Sequence, residues 1–123
     1  MLRIRREQMQ VLNESRQRHF EARAIDYLKS KYPGNYRRRG ADQILQLIRK
    51  AIDKAKRAGL DSEAGVIAYI ELSLIYGENF DQHEAWAYYI IHQSELDPEA
   101  KIGRLENYIV PEPVDQSLEA QKE

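Results

Sequence analysis

Three consecutive arginines, Arg37, Arg38 and Arg39, follow Tyr36 in the stretch KYPGNYRRRG at positions 31 to 40. Arginine binds phosphate and carboxylate groups through a planar fork of N–H donors, and an adjacent tyrosine ring can stack on a nucleic-acid base. The triplet therefore predicts a surface that holds an anion. Three sources of that anion stay open: a nucleic acid or phosphate, an acidic surface of a protein partner, and carboxylates of this same chain.

The distribution of charge along the chain bears on this choice. The formal net charge of the 123 residues is only -1. Residues 1 to 58 carry 16 Lys or Arg against 6 Asp or Glu, whereas residues 59 to 123 carry 3 against 14. Such halves predict either mutual neutralisation across the fold or the steering of charged partners. Because the acidic half repels nucleic acid, the composition disfavours DNA or RNA and favours protein carboxylates as the anion.

Histidine and carboxylate residues form no pattern that is typical of an active site. His83 and His92 are nine residues apart, which places them on opposite faces of one helix. Asp81, His83 and Glu84 have no serine or cysteine nucleophile and no glycine-rich phosphate loop beside them. The chain contains no cysteine, which excludes thiol chemistry. We therefore predict a protein that is not an enzyme and that uses neither a metal nor a cofactor.

Two further side chains stand out by their surroundings. Glu71 lies inside the most apolar stretch, VIAYIELSLIY, and we predict that it either pairs with an Arg or Lys of the first two helices or lies at the rim of the domain. Trp86 and Tyr89 are three residues apart, which predicts that both pack in the core, whereas Tyr88 points elsewhere. Since tyrosine is a common anchor in protein interfaces, Tyr88 joins Tyr36 and the three arginines as a predicted partner-binding residue.

All elements that position these side chains are predicted to be helices, because no stretch alternates apolar and polar residues as strands do. A long first helix spans about residues 5 to 31, and Pro33 with Gly34 is expected to end it, which places the arginines in a connecting loop. A second helix spans about residues 41 to 58. The predicted buried stripes are Met9, Leu12, Phe20, Ala24 and Leu28 in the first helix and Ile44, Leu47, Ile48, Ala51, Ile52 and Ala55 in the second.

The second half of the chain is predicted to add three more helices. The third follows a cap at Asp61 or Ser62 and is apolar on nearly every face, which makes it the central element. A fourth follows Asp81, and Asp97 with Pro98 opens a fifth. We thus predict one all-α domain, a compact bundle of about five helices in residues 1–109, and a disordered acidic tail in residues 110–123. No segment predicts a signal peptide or a membrane span, so we expect a cytoplasmic protein.

The order of several segments resembles a known group of proteins. These segments are MLRIRREQM, LKSKYP, IRKAIDKAKRAGL, VIAYIELSLIYGENFD, AW and KIGRL. They resemble small helical proteins encoded beside type VI secretion spike and effector genes in bacteria, and the resemblance spans roughly residues 1 to 109. The resemblance implies an adaptor or co-chaperone that helps an effector or its spike protein reach the secretion machine. It implies no catalytic residues.

Three functions stay open at this point. A non-enzymatic adaptor or co-chaperone agrees with the division of charge and with the resemblance. An immunity protein, which would block the active site of a toxic effector, agrees with the acidic second half. A nucleic-acid-binding protein would use Tyr36 to Arg39 and the basic helices, against the overall charge. The sequence does not determine the oligomeric state.

Overall fold

The computed structural model of the protein describes residues 14–112. Within that range it contains six helices and no strand, which confirms the predicted all-α bundle. The helices are α1 (Glu14–Lys31), α2 (Pro33–Arg57), α3 (Glu63–Tyr76), α4 (Phe80–His83), α5 (Ala85–Ile91) and α6 (Pro98–Glu106). Met9 and Leu12 of the predicted first stripe, and residues 113–123 of the predicted tail, lie outside the described residues. None of the six helices has both the length and the apolarity that crossing a membrane requires.

The core forms where the helical periodicity of the sequence places apolar side chains. Phe20, Ala24 and Leu28 of α1 are buried. All six side chains predicted for the second helix are buried in α2: Ile44, Leu47, Ile48, Ala51, Ile52 and Ala55. Helix α3 is buried on nearly every face and packs against α2, α4 and α6, so it is the central helix. Each fully buried Leu or Ile side chain contributes about 1.5 to 3 kcal/mol to stability.

Predicted caps start two of the helices. The Ser62 hydroxyl accepts a hydrogen bond from the Gly65 N–H at 3.1 Å, and the Asp97 carboxylate accepts one from the Ala100 N–H at 2.8 Å. Pro98 follows Asp97 in the first turn of α6, where no intrahelical donor is lost. Such caps contribute about 1 kcal/mol each, because they satisfy N–H groups that have no partner inside the helix.

The prediction for the residues between the first two helices was wrong. It placed the arginines in a loop, but α2 begins at Pro33 and carries Arg37, Arg38 and Arg39 in its first turns. Proline fits the first turn of a helix as well as it ends a preceding one, because that turn needs no N–H donor. The interruption comes later, at Gly40, whose φ of 84° favours glycine and bends the helix. We call residues 33–39 the arginine segment.

The predicted fourth helix is divided into two short helices. Glu84 adopts an extended conformation, with φ -93° and ψ 118°, between α4 and α5. Phe80 of α4 packs on Tyr69 with ring centroids 5.1 Å apart, whereas Trp86 of α5 stacks on Tyr108 at 3.8 Å. The break at Glu84 lets the two aromatic side chains reach different partners, which accounts for six helices instead of five.

Candidate protein-binding surface

The arginine segment presents two of its three arginines to solvent. Arg37 and Arg38 are exposed, whereas Arg39 is partly buried and its Nε donates a hydrogen bond to the Asn35 side-chain oxygen at 3.4 Å. Tyr36 packs against the core, and Lys29 Nζ lies 5.4 Å from the centre of its ring. Among the described residues, none forms an ion pair with Arg38. The arginine segment thus presents an exposed cationic surface, and its Tyr36 side chain packs against the core.

A carboxylate from the end of the described chain caps the start of this segment. The Gly34 N–H donates to Glu112 Oε1 at 3.0 Å, and the Asn35 N–H donates to Glu112 Oε2 at 2.7 Å. The Asn35 side-chain amide adds a third hydrogen bond to Oε2 at 3.0 Å. A negative group is favoured at this position because the first N–H groups of a helix carry its positive dipole end. Glu112 lies within residues 110–123, the predicted acidic tail, and contacts the start of α2 through these hydrogen bonds.

Gly34 has room for this carboxylate because it lacks a side chain. A Cβ atom at Gly34 would lie 3.0 Å from Glu112 Oε2 and 3.2 Å from Arg38 Nη1. The carboxylate and the guanidinium group therefore both lie on the side of this glycine to which a side chain would point. Any side chain at position 34 would push at least one of them away.

Glu71 fixes the other side of the segment. Its carboxylate, only 3 % exposed, accepts a hydrogen bond from the Tyr27 hydroxyl at 2.9 Å and pairs with Lys31 Nζ at 2.7 Å. The Tyr32 hydroxyl also donates to Glu71 Oε1. The predicted pairing of Glu71 with a cation of the first two helices is confirmed. Because Tyr32 directly precedes Pro33, these contacts hold the start of α2 against the central helix.

The polar groups around Glu71 have shifted pKa values. Burial raises the pKa of the Tyr32 hydroxyl, and the hydrogen bond to the Glu71 carboxylate raises it further. Burial also raises the pKa of Tyr27, against a smaller lowering effect of Lys31. Burial alone would lower the pKa of Lys31, but the hydrogen bond and the charge of Glu71 outweigh it, so that pKa is raised too. All three groups thus hold their protons more tightly in the folded protein.

These shifts predict that alkaline pH destabilises the fold. A group whose pKa is raised in the folded state stabilises the fold fully at any pH below its ordinary pKa, which is 10.0 for tyrosine and 10.5 for lysine. This stabilisation is lost as the pH rises toward the folded-state pKa. We expect the free energy of unfolding, measured by urea titration, to fall above about pH 10. In the variant Tyr32→Phe the free energy of unfolding should fall less steeply with pH, with a slope that is smaller by up to about 1.4 kcal/mol per pH unit. Equal slopes in the wild type and the variant would contradict the raised pKa of Tyr32.

Ion pairs across the fold neutralise part of the charge division. Among the described residues, three pairs join a cation of the basic half to a carboxylate of the acidic half. They are Arg23 with Glu63 at 2.5 Å, Lys31 with Glu71 at 2.7 Å, and Lys50 with Glu78 at 3.3 Å. The division of charge along the sequence predicted either mutual neutralisation or the steering of charged partners. These ion pairs show mutual neutralisation between the helices that carry them.

One ion pair with a buried carboxylate was missed at the sequence level. Glu21 of α1 is buried beside Phe20, and Arg49 of α2 donates two hydrogen bonds to its carboxylate at 3.0 and 3.2 Å. Burial by itself would raise the pKa of Glu21, but the bonds from Arg49 and Gln17 lower it overall. The position of Glu21 directly beside the predicted apolar stripe was the only local signal that its carboxylate is buried. Its partner lies 28 residues away and leaves no local pattern.

The two adjacent tyrosines of α5 form a second exposed surface. Tyr88 is 50 % exposed and its ring stacks on His92 with centroids 4.1 Å apart. Tyr89 was predicted to be in the core, but it is 63 % exposed, because α5 directs Ala87 and Ile90 inward instead. Helix α5 packs mainly on α4 and α6, so the arginines and Tyr88 are carried by separate elements of the bundle.

Neither surface resembles an active site in composition. Within residues 14–112, no group of three His, Asp or Glu side chains is arranged to hold a metal ion. Comparisons of the chain with family models, with curated proteins and with solved structures found no match.

Proposed function

We propose that this protein is a non-enzymatic binding module that docks an acidic surface of a protein partner on its arginine segment. The supporting observation is that Arg37 and Arg38 are exposed on a helix whose start is held from two sides, by Glu112 and, through Tyr32, by Glu71. Guanidinium groups on a rigid element lose less conformational freedom on binding than groups on a loop. Paired guanidinium groups fit carboxylates well, because each offers parallel N–H donors.

The ion pairs of other cations of the first two helices support this choice of surface. Arg23, Lys31, Arg49 and Lys50 each pair with a carboxylate of the chain itself. A partner would have to displace those carboxylates, whereas no carboxylate of the described residues forms an ion pair with Arg38. Attraction between opposite charges would also increase the rate of association.

The resemblance of the sequence segments supplies the class of partner. It supports a cytoplasmic adaptor or co-chaperone for an effector or a spike protein of a type VI secretion system. An escort of this kind needs no reaction chemistry of its own. It needs a surface that recognises one protein and releases it at the secretion machine, which agrees with polar, exchangeable contacts.

Affinity capture from the native host tests the proposal. The tagged full chain should recover a protein with an acidic surface in stoichiometric amount, and the double variant Arg37→Ser/Arg38→Ser should recover at least about ten-fold less. Because both side chains are exposed, their loss should change the free energy of unfolding by less than about 1 kcal/mol. The variant Lys56→Ser/Arg57→Ser removes the same charge from the exposed end of the same helix and should recover the partner normally. Equal recovery by all three proteins would overturn the proposal.

Immunity is the second candidate, favoured by the exposed tyrosines in the acidic half of the chain. Tyrosine anchors surrounded by carboxylates would suit a basic toxic enzyme. Co-expression with the captured effector separates the two roles. Restored growth that depends on Tyr88 and Tyr89 supports immunity, whereas improved solubility of the effector without restored growth supports an adaptor.

A further inference from the structure

The outward face of α5 is an exposed aromatic stripe. Ala85, Tyr88, Tyr89 and His92 follow the spacing i, i+3, i+4 and i+7 of one helical face, and all four are exposed. The rings of Tyr88 and His92 stack with centroids 4.1 Å apart, so both lie on this face. We call these four residues the α5 stripe. Adjacent exposed tyrosine rings are typical of surfaces that bind a protein.

The surroundings of the α5 stripe are acidic. Helix α5 packs on α4 and α6, and residues 77–109, which contain all three helices, carry 7 Asp or Glu against 2 Lys or Arg. Glu84 directly precedes the stripe, and none of the described residues forms an ion pair with it. Carboxylates beside tyrosine rings favour a guanidinium group, which pairs with the carboxylate and stacks on the ring. The stripe therefore suits an arginine-bearing surface, whereas a second acidic stripe would be repelled.

The arginine segment of the same chain has the complementary properties. Residues 33–39 contain three arginines and no Asp or Glu. Arg38 is exposed and has no ion pair within the part of the chain that the structure describes. Since Glu84 has none there either, these two side chains do not neutralise one another within one molecule. Both stay accessible to a second molecule.

The overall charge of the chain allows two copies to approach one another. A large net charge keeps molecules of a protein apart, but the net charge of these 123 residues is only -1. Long-range repulsion between copies is therefore weak. Opposite charges on separate surfaces then orient one copy against the next as they meet.

We propose that the protein associates with a second copy of itself head to tail, with the arginine segment of one copy docked on the α5 stripe of the next. Arg38 of one copy pairs with Glu84 of the other and lies against the rings of Tyr88 and Tyr89. Because the contact joins two different surfaces, a pair keeps one free surface of each kind, and association continues into a chain or closes into a ring.

This inference goes beyond the proposed function and does not depend on it. The two are linked by the arginine segment, which an acidic protein partner and the α5 stripe of a second copy would both use. Binding of the partner and association of copies therefore exclude one another. Self-association would keep the arginine segment covered until the partner is present.

Sedimentation equilibrium of the purified full chain tests the proposal. The mean mass of the wild type should rise above that of the monomer as protein concentration increases, and added salt should reverse the rise because the contacts are charged. The variants Arg37→Ser/Arg38→Ser and Tyr88→Ser/Tyr89→Ser should each raise the dissociation constant at least about ten-fold. All four replaced side chains are exposed, so circular dichroism should show that both variants are folded.

A control variant separates the arginine segment from positive charge in general. Lys56→Ser/Arg57→Ser removes the same charge from the exposed last turn of α2 and should associate as the wild type does. A loss of association in this control as large as the loss in Arg37→Ser/Arg38→Ser would contradict docking through the arginine segment.

An equal mixture of the two deficient variants is the sharpest comparison. Each variant keeps the surface that the other lacks, so the mixture should form pairs with one intact contact and stop at the mass of a dimer. A mixture that stays monomeric would overturn the proposal. Association of Arg37→Ser/Arg38→Ser alone, as strong as that of the wild type, would also overturn it, because it would indicate contact between two stripes.

A wild type that stays monomeric at every concentration would overturn the proposal as well and would leave the α5 stripe to a basic protein partner. If Tyr88→Ser/Tyr89→Ser does not fold, Glu84→Lys takes its place in the mixture, since it reverses the charge beside the stripe. The assay contains no partner protein, so its failure is distinct from failure of the capture experiment.

Discussion

Replacement of Glu71 by alanine is expected to lower the free energy of unfolding by about 3 kcal/mol. The Tyr32 hydroxyl is fully buried and would lose its acceptor, and the removed carboxylate would leave a space beside the central helix. Lys31 is 39 % exposed and can turn its ammonium group to water, so the loss arises mainly from the buried tyrosine and the space. Urea unfolding followed by circular dichroism measures the change.

A second carboxylate on the same helix provides the matched control. Glu63 pairs with Arg23 at 2.5 Å, but both side chains are largely exposed, at 40 % and 55 %. Exposed pairs contribute at most about 1 kcal/mol, so Glu63→Ala should cost far less than Glu71→Ala. A loss at Glu71 no greater than the loss at Glu63 would show that the buried contacts do not hold α1 and α2 to α3.

Replacement of Gly65 by alanine should have a comparable effect for a different reason. An added Cβ would lie 2.3 Å from the Leu60 carbonyl oxygen and 2.9 Å from its carbonyl carbon. Both are backbone atoms of the connection between α2 and α3, which cannot move aside as the end of a flexible side chain can. Overpacking of this kind should lower the free energy of unfolding by about 3 kcal/mol, which thermal or urea unfolding would measure.

Gly103 in α6 is the control for this substitution. No atom lies within 4 Å of the Cβ that alanine would add there, and the residue is exposed in a helix. Gly103→Ala should therefore leave the protein as stable or increase its stability by up to about 1 kcal/mol, because alanine favours the helix. Gly65→Ala with wild-type stability would contradict the close approach of Gly65 to the Leu60 carbonyl group.

The buried face of α2 could be predicted from the sequence because helical periodicity directly records which side chains face the core. The same holds for the pairing of Glu71, since a lone carboxylate in an apolar helix requires a cation, and the preceding helices are rich in them. The capped start of α2 could not be predicted. Its acceptor, Glu112, lies 78 residues from Gly34 in sequence, so no local pattern joins them.

Two errors of the sequence analysis have a common physical origin in long-range packing. Pro33 is equally compatible with ending α1 and starting α2, and only the contacts of Tyr32 and Glu112 decide between them. In the same way, the stack of Trp86 on Tyr108 joins distant residues and accompanies the break at Glu84. That break sets the orientation of α5, which leaves Tyr89 exposed although its spacing from Trp86 is typical of a buried pair.

The division of charge has two outcomes in the folded protein. Ion pairs such as Lys50 with Glu78 neutralise basic and acidic halves against one another. Arg38, by contrast, is exposed and forms no ion pair with the residues that the structure describes. The charges of the chain therefore act partly within the fold, and the exposed arginines form the surface that we propose for an external acidic partner.

Calorimetric titration of the purified, captured partner tests this use of the arginine segment most directly. We predict that Arg37→Ser/Arg38→Ser raises the Kd at least about ten-fold while its free energy of unfolding stays within about 1 kcal/mol of the wild type. The affinity of the wild type should also weaken as salt concentration rises, because the contacts are charged and exposed. A double variant that binds the partner as tightly as the wild type would contradict binding through the arginine segment.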